Sequence, residues 1–163
     1  PAKFFVFFQM QALVVALFAL PFLAAADNAT LHFGPLAVVA IMVWLGAMAG
    51  ESLADRQLAR YRANPANAGK TCRDGLWGWS RHPNYFFEWL HWFAYVLLAV
   101  GGGLFWLSLA GPVLMLAFLY RVSGIPWTEA QAERSRGEDY RRYQREVSAF
   151  FPWPPRKAAP STE

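Results

Sequence analysis

Five side chains able to bind or polarise a ligand lie within eight residues, at the start of a long apolar run. They are Arg81, His82, Asn84, Tyr85 and Glu88. Pro83 has no backbone donor and disfavours helical geometry at His82, so the sequence predicts a helix that begins near Pro83. Asn84 and Glu88 are four residues apart and share one face of that helix. A carboxylate and an amide at the cytoplasmic mouth of a membrane helix can bind the amide and hydroxyls of a polar cofactor.

A second polar set precedes the first one in the chain. Glu51, Asp55 and Arg62 are spaced by four and seven residues, which places them on one stripe of a helix. The stripe can contribute to the same site. A salt-bridged, exposed helix end explains the same spacing.

The composition is that of a membrane protein. Of 163 residues, 56% are hydrophobic and 16% are charged, which is more apolar than a soluble domain of this size. Near-spanning apolar runs cover about residues 4–26, 33–50, 84–100 and 104–120. We therefore expect an all-α polytopic protein with four transmembrane helices. The single Cys and three scattered His have no metal-ligand spacing, so no structural metal is expected.

The cations are distributed unevenly along the chain. All 15 Lys and Arg residues lie before the first run, between the second and third runs, or after the fourth. Residues 27–32 and 101–103 carry none. The positive-inside rule then predicts that both termini are cytoplasmic and that these two turns face away from the cytoplasm. The basic charge indicates contact with phosphates or anionic membrane lipids, and nucleic acid is not an expected partner.

The C-terminal region differs in character from the apolar runs. Residues 127–147 are rich in Arg and Glu and favour an amphipathic helix on the cytoplasmic side. Its apolar stripe is weak, so we expect it to pack over the Gly75–Glu88 segment, with Tyr143 near Arg81 or Asn84. Residues 1–155 are predicted to form one membrane-embedded domain, and residues 156–163 a disordered tail.

Four motifs give the chain a family resemblance. It resembles the steroid 5-alpha-reductase-like membrane reductases, particularly a bacterial branch described as a domain of unknown function. The wider superfamily includes sterol reductases and isoprenylcysteine carboxyl methyltransferases, which share an Arg-His-Pro-x-Tyr core. The motifs are Glu51-x-x-x-Asp55-x-Gln57-Leu58, Gly75-Leu76-Trp77-x-x-Ser80-Arg81-His82-Pro83-Asn84-Tyr85-x-x-Glu88, Ser123-Gly124-Ile125-Pro126-x-x-Glu129, and Tyr140-x-x-Tyr143 with Phe150-Phe151-Pro152.

The resemblance implies reduction of a carbon–carbon double bond conjugated to a carbonyl, in a steroid-like or other lipid, with NADPH as cofactor. Arg62 and Arg81 suit its phosphates, while Asn84 and Glu88 suit its carboxamide and hydroxyls. The cofactor-binding residues that the resemblance implies are Glu51, Asp55, Arg62, Arg81, His82, Asn84, Tyr85, Glu88, Glu129 and Tyr143.

The chain departs from the family pattern in two respects. The family usually has Gly at the position of Phe87, where a bulky ring could crowd a cofactor. The family's catalytic Glu and Tyr lie on helices that precede the matched region, and this chain begins at Pro1 rather than Met. We therefore expect the chain to be the C-terminal part of a longer protein, whose substrate and oligomeric state are open.

Two other functions are consistent with the same residues. The Arg81-His82-Pro83-x-Tyr85 core also fits an S-adenosylmethionine-dependent membrane methyltransferase. S-adenosylmethionine carries a sulfonium and no phosphate, so competition between it and NADPH distinguishes the two. In a non-catalytic membrane fragment, Arg81 and Glu88 pair with each other at the interface and no nucleotide binds.

Overall fold

The computed structural model describes residues 2–29, 33–122 and 124–156, and it is helical throughout. Within these ranges there is no strand, only an isolated bridge between Ser80 and Ser148. Short 3-10 helices cover Pro65–Asn67 and Gly75–Gly78, and a π-helix covers Phe118–Val122. The predicted all-α class is confirmed. The α-helices are α1 (Ala2–Ala26), α2 (Pro35–Ala63), α3 (Pro83–Leu90), α4 (Trp92–Leu98), α5 (Phe105–Ser108), α6 (Ala110–Ala117), α7 (Ile125–Arg136) and α8 (Glu138–Glu146).

Three helical stretches are long and apolar enough to cross a membrane. They are Ala2–Ala26, Pro35–Ala63 and Phe105–Arg136, judged by length and composition. The side chains of α1 are mostly exposed although they are apolar, with Phe4 70% exposed. Such surface is stable in hydrocarbon and costly in water, which supports the prediction of a membrane protein.

The single helix predicted for residues 84–100 is wrong. α3 ends at Leu90 and α4 begins at Trp92, with a break at His91. The backbone tightens there, because the Ala94 amide bonds to the His91 carbonyl three residues back, at 3.0 Å. The start of α3 agrees with the prediction, since Pro83 occupies the first helical position.

The helices predicted for residues 104–120 and 127–147 are also divided. Pro112 has no amide hydrogen to donate to the carbonyl of Ser108, and the helix predicted for residues 104–120 breaks at Leu109, between α5 and α6. Gly137, with φ of 55°, separates α7 from α8, since a left-handed backbone cannot continue a right-handed helix. Residues Thr30–His32, Ser123 and 157–163, which include most of the predicted tail, lie outside the described residues.

The described chain divides into two compact units, and α2 runs from one into the other. The first unit comprises Pro1–Leu45 and Trp89–Ala117. In it, α1 packs against α4, α5 and α6. The Trp92 ring contacts Phe18 and Phe22 of α1, with centroid distances of 5.1 and 6.0 Å.

The first unit also contains the predicted turn at Gly101–Gly103, which joins α4 to α5. The buried Asn28 amide donates to the carbonyls of Leu98 and Val100, at 2.8 and 3.0 Å. These bonds satisfy carbonyls at the C-terminal end of α4 that have no partner within the helix. α4 contacts α5, to which this turn joins it, and also α6, as expected for helices joined by so short a connection.

The second unit comprises Gly46–Glu88 and Phe118–Glu163. The 3-10 turn at Gly75–Gly78 packs on the C-terminal half of α2, where the Trp77 indole donates to the Ala54 carbonyl at 2.9 Å. The Ser80 hydroxyl donates to the Phe150 carbonyl at 2.8 Å. The Gly75–Glu88 segment is therefore held from one side by α2 and from the other by the chain that follows α8. This unit contains every residue predicted to bind the cofactor.

Candidate functional site

A cavity of about 300 Å³ lies in the second unit, between α2, α3, α7 and α8. We call it the inner cavity. Seven of the ten predicted site residues line it, and they come from four separate elements. These are Asp55, Arg62, Arg81, His82, Asn84, Tyr85 and Tyr143.

Asn84 lines the inner cavity and has a side-chain acceptor without a partner among the described residues. Its side-chain nitrogen donates to an Asp55 carboxylate oxygen at 3.2 Å, which fixes the orientation of the amide. The carbonyl oxygen Oδ1 is buried and has no hydrogen-bond partner among the described residues. A buried acceptor without a donor is unfavourable by about 1–3 kcal/mol, so a ligand that donates to it gains affinity.

His82 and Tyr85 form an aromatic wall of the same cavity. Their rings stack with centroids 5.3 Å apart and an interplanar angle of 5°. The His82 backbone amide donates to the Ser80 hydroxyl at 3.1 Å, which orders the backbone just before α3. The Tyr85 hydroxyl interacts with the Thr128 side chain of α7. The wall is thus held by both α3 and α7.

Glu129 of α7 connects three of the surrounding side chains. One carboxylate oxygen accepts from Arg81 Nε at 2.6 Å and lies 3.1 Å from His82 Nε2. The other accepts from the Gln144 amide at 3.2 Å. Since Arg81 pairs with Glu129, the alternative in which Arg81 pairs with Glu88 is wrong.

Arg81 also holds α8 in place. Its Nη1 donates to the carbonyls of Gln144 and Val147, at 2.9 Å each, at the C-terminal end of α8. These carbonyls lack partners within the helix, so the guanidinium serves as a cap. Arg81 therefore has three internal acceptors in addition to its position at the cavity.

Tyr143 confirms the predicted packing of the C-terminal region over the Gly75–Glu88 segment. Its side chain is 1% exposed, and its hydroxyl donates to the carbonyl of Trp77 at 2.6 Å and to that of Ser80 at 3.3 Å. Burial, followed by the effect of the adjacent Tyr140, raises the pKa of the Tyr143 hydroxyl. The hydroxyl stays protonated at neutral pH and serves as a donor that joins α8 to the segment.

The remaining predicted residues lie outside the lining of the inner cavity. Glu129 lies behind Arg81 and His82, as described above. Glu88 of α3 and Glu51 of α2 are half-buried and close enough to interact electrostatically with each other, as Glu88 does with Asp55. The structure therefore brings the predicted carboxylates together, with Asp55 as the member that lines the cavity.

Comparison with known proteins identifies the family. A family model described as "protein of unknown function (DUF1295)" matches residues 1–147. The chain belongs to the DUF1295 family. This family is a steroid 5-alpha-reductase-like branch, as the motifs indicated. No curated protein and no solved structure matches the chain.

Phe87, the departure from the usual family Gly, does not line the inner cavity of this DUF1295 chain. Its ring packs on Gly50 of α2, where an added Cβ would overlap the ring. Gly50 leaves room for this ring, so α2 and α3 are in close contact at this position. The larger side chain therefore does not crowd the cavity.

Sequence reasoning on the DUF1295 motifs missed several residues of the cavity lining. Arg136 is the most informative of them, because it adds a half-buried cation to the lining beside the exposed Arg62. Its guanidinium lies 5.8 Å from the centroid of the Tyr140 ring. The four-residue spacing of Arg136 and Tyr140 indicates that they share a helix face. Arg136 is one of eight cations after the fourth apolar run, however, and this spacing does not single it out. The other missed residues are Leu58, Thr71, Cys72, Trp77, Thr128, Ala132 and Tyr140.

Proposed function

We propose that this DUF1295 chain binds the cofactor of a membrane-embedded NADPH-dependent reductase. The proposed reaction reduces a carbon–carbon double bond conjugated to a carbonyl in a steroid-like or other lipid. The observation that carries the proposal is the inner cavity, which is lined by Asp55, Arg62, Arg136 and by Asn84, whose buried side-chain oxygen has no hydrogen-bond partner among the described residues. Family membership supports the reaction class, and the cavity supports the cofactor.

The donors and acceptors of the inner cavity match the chemical groups of NADPH. Asn84 Oδ1 suits a donor such as the carboxamide nitrogen, and the Asp55 carboxylate suits a ribose hydroxyl. Arg62 and Arg136 present planar guanidinium groups, which match phosphate oxygens. A volume of about 300 Å³ is at the low end for small-molecule cavities. It suits the nicotinamide and its ribose, with the phosphates nearer the opening.

NADPH, when bound, supplies the hydride, so the protein's contribution is binding, orientation and exclusion of water. The stacked rings of His82 and Tyr85 give one side of the cavity a rigid, partly apolar surface. Glu129 fixes His82 and Arg81, and through Arg81 it fixes the end of α8. A site whose walls are tied to separate elements retains its geometry without a ligand, which lowers the entropy cost of binding.

We also propose the four-span topology with both termini on the cytoplasmic side of a bacterial inner membrane. In this topology α3 and α4 cross the membrane together despite the break at His91. The cation asymmetry supports it, since residues 27–32 and 101–103 carry no Lys or Arg. Cysteines introduced at Ala29 and Lys70 test it. A membrane-impermeant reagent applied from outside should label position 29 and not position 70, and the opposite pattern would overturn it.

The experiment that tests the function is NADPH titration of the detergent-solubilised chain. Asn84→Ala should weaken binding about 3- to 10-fold, the loss of one ligand hydrogen bond. Glu88 lies outside the cavity lining, so Glu88→Gln tests whether this carboxylate reaches the cofactor: a loss of about 10-fold or more would show that it accepts a hydrogen bond from it. Gln131→Ala is the matched control, because Gln131 is an exposed amide of α7 outside the cavity lining.

Each outcome of this titration decides between the candidate functions. Saturable NADPH binding that is weakened by Asn84→Ala and unchanged by Gln131→Ala supports the reductase. Binding of S-adenosylmethionine that excludes NADPH favours the methyltransferase. Absence of saturable binding of either ligand to the folded wild-type chain refutes a cofactor role for the inner cavity.

A further inference from the structure

We propose that a second cavity beside the first holds the ribose 2′-phosphate of the dinucleotide and makes the site selective for NADPH over NADH. This inference rests on the proposed function and adds a selectivity element to it. The cavity has a volume of about 190 Å³ and is bounded by the end of α2 and the loop of residues 64–70. We call it the outer cavity.

The two cavities adjoin each other. Arg62 and Arg136 line both, as do Leu58 and Cys72. Lys70 lines the outer cavity and not the inner one. A ligand that extends from the inner cavity into the outer one therefore passes Arg62 and Arg136 first and reaches Lys70 last.

The outer cavity has a strongly positive lining. Three cations, Arg62, Lys70 and Arg136, surround it, and no Asp or Glu appears among its described lining residues. Such a concentration of one charge sign around a concave space favours an anionic ligand, because the fields of the three cations add there. Phosphate is the anion for which Arg and Lys are the usual partners in proteins.

These three cations also have no carboxylate partner. Within the described residues, none of them is in an ion pair with Asp or Glu, although the chain forms several such pairs elsewhere. The nearby cations that are paired are Arg73, Arg81, Arg141, Arg142 and Arg145. The charges around the outer cavity are thus available to a ligand without breaking a salt bridge.

The loop that carries Lys70 is held by hydrogen bonds. The Asn64 side chain accepts from the Ala66 amide at 3.0 Å, and the Asn67 side chain donates to the Tyr61 carbonyl at 2.9 Å. The Lys70 amide in turn donates to the Asn67 carbonyl at 3.0 Å. The backbone around Lys70 is therefore preorganised at the edge of the cavity, so only the lysine side chain has to order on binding.

The order of the cations matches the order of phosphates in a dinucleotide. The pyrophosphate lies in the middle of NADPH and is shared with NADH, and it corresponds to Arg62 and Arg136 at the boundary between the cavities. The 2′-phosphate is on the adenosine ribose, beyond the pyrophosphate, and NADH lacks it. It corresponds to Lys70. Lys70 should then distinguish the two cofactors, and Arg136 should not.

The test compares NADPH and NADH titrations of the detergent-solubilised chain for wild type, Lys70→Ala and Arg136→Ala. Lys70→Ala should lower NADPH affinity about 10-fold and leave NADH affinity within about twofold, since one charged hydrogen bond is lost. Arg136→Ala should weaken both cofactors by similar factors. Arg134→Ala is the matched control, because Arg134 is an exposed cation of α7 outside both cavities. The control should change neither affinity.

A fragment titration separates this inference from the proposed function. The probe 2′,5′-ADP carries the 2′-phosphate and the 5′-phosphate without the nicotinamide, so it reports on the outer cavity and its boundary with the inner one and not on the nicotinamide site. Binding of 2′,5′-ADP to the wild-type chain, and loss of this binding in Lys70→Ala, support the outer site even if the chain does not reduce a substrate with NADPH. If NADPH binds, but Lys70→Ala weakens the binding of NADPH and NADH by the same factor or changes neither, the selectivity role of Lys70 is refuted. The proposed function then still stands.

A lipid headgroup is the other source of a phosphate in a membrane. Binding is therefore repeated in micelles that contain phosphatidylglycerol. If phosphatidylglycerol displaces 2′,5′-ADP only weakly, the nucleotide assignment holds. If Lys70→Ala leaves nucleotide binding unchanged and reduces the phosphatidylglycerol that copurifies with the chain, the outer cavity holds a lipid phosphate and the proposal is overturned.

Discussion

Glu129 offers a direct test of how the candidate site is held together, because α7 also contains a matched control. Glu129 accepts from Arg81 Nε at 2.6 Å, and Glu133 accepts from Arg141 Nε at 2.7 Å. The two pairs have nearly equal lengths. They differ in burial, since the side chains of the first pair are 12% and 16% exposed and those of the second 54% and 41%.

This difference in burial sets the expected energies. Removal of one partner from a buried ion pair costs about 3–5 kcal/mol, because the other charge is left without compensation. Arg81 keeps two carbonyl acceptors and some exposure, so we expect Glu129→Gln to lower the free energy of unfolding by about 2–4 kcal/mol. Glu133→Gln should cost about 0–1 kcal/mol, as exposed pairs do.

Unfolding by denaturing detergent in mixed micelles, followed by tryptophan fluorescence, measures both variants. The measurement is repeated at about 1 M salt, where the Debye length falls to about 3 Å and exposed pairs are screened. Any effect of Glu133→Gln should disappear at high salt, and the effect of Glu129→Gln should persist. Equal destabilisation by the two substitutions, or full loss of the Glu129 effect in salt, would refute the argument from burial.

Two further predictions concern other contacts of the second unit. Burial alone would raise the pKa of Asp139, but hydrogen bonds from Thr71 and Arg73 outweigh it and lower that pKa. The stability that these bonds add is fully present above the unfolded-state pKa of about 4 and is lost as pH falls through the lower pKa of the folded state. Asp139→Asn should therefore reduce the pH dependence of thermal stability between about pH 5 and 2. An unchanged pH dependence in this range would contradict the prediction. Gly50→Ala should destabilise the chain by about 1–3 kcal/mol because the added methyl group meets the Phe87 ring. Adding Phe87→Ala to this variant should recover part of the lost stability in a thermal melt. Additive losses would show that the two residues do not share a contact.

The sequence by itself determined the features that depend on local pattern. Hydropathy and length predict membrane helices, because a spanning segment must be apolar along its whole length. The start of α3 at Pro83 was predictable since proline has no amide hydrogen and fixes its own φ. The all-α class and the family resemblance follow from the same local information. Seven of the ten predicted site residues line one cavity although they are spread from Asp55 to Tyr143, and it was the family resemblance that grouped them.

The helix breaks were harder to predict, because they depend on competition between similar energies. A break at His91 or Leu109 exchanges a few backbone hydrogen bonds for better packing, and apolar composition is the same in either case. Gly137 was visible in the sequence as an interruption. Only the structure shows that the backbone turns there with φ of 55° and starts a separate helix.

Only the tertiary structure decided which charges are paired and which remain available to a ligand. With 15 cations and 11 acids, the sequence offers many partners for each charge. Arg81 pairs with Glu129, which is 48 residues away, rather than with Glu88, which is seven residues away in the helix that follows Arg81. Lys70 and Arg136 lie 66 positions apart in the chain yet line one cavity. Ion pairing falls off steeply with distance and depends on burial, and both are set by packing between elements rather than by spacing along the chain.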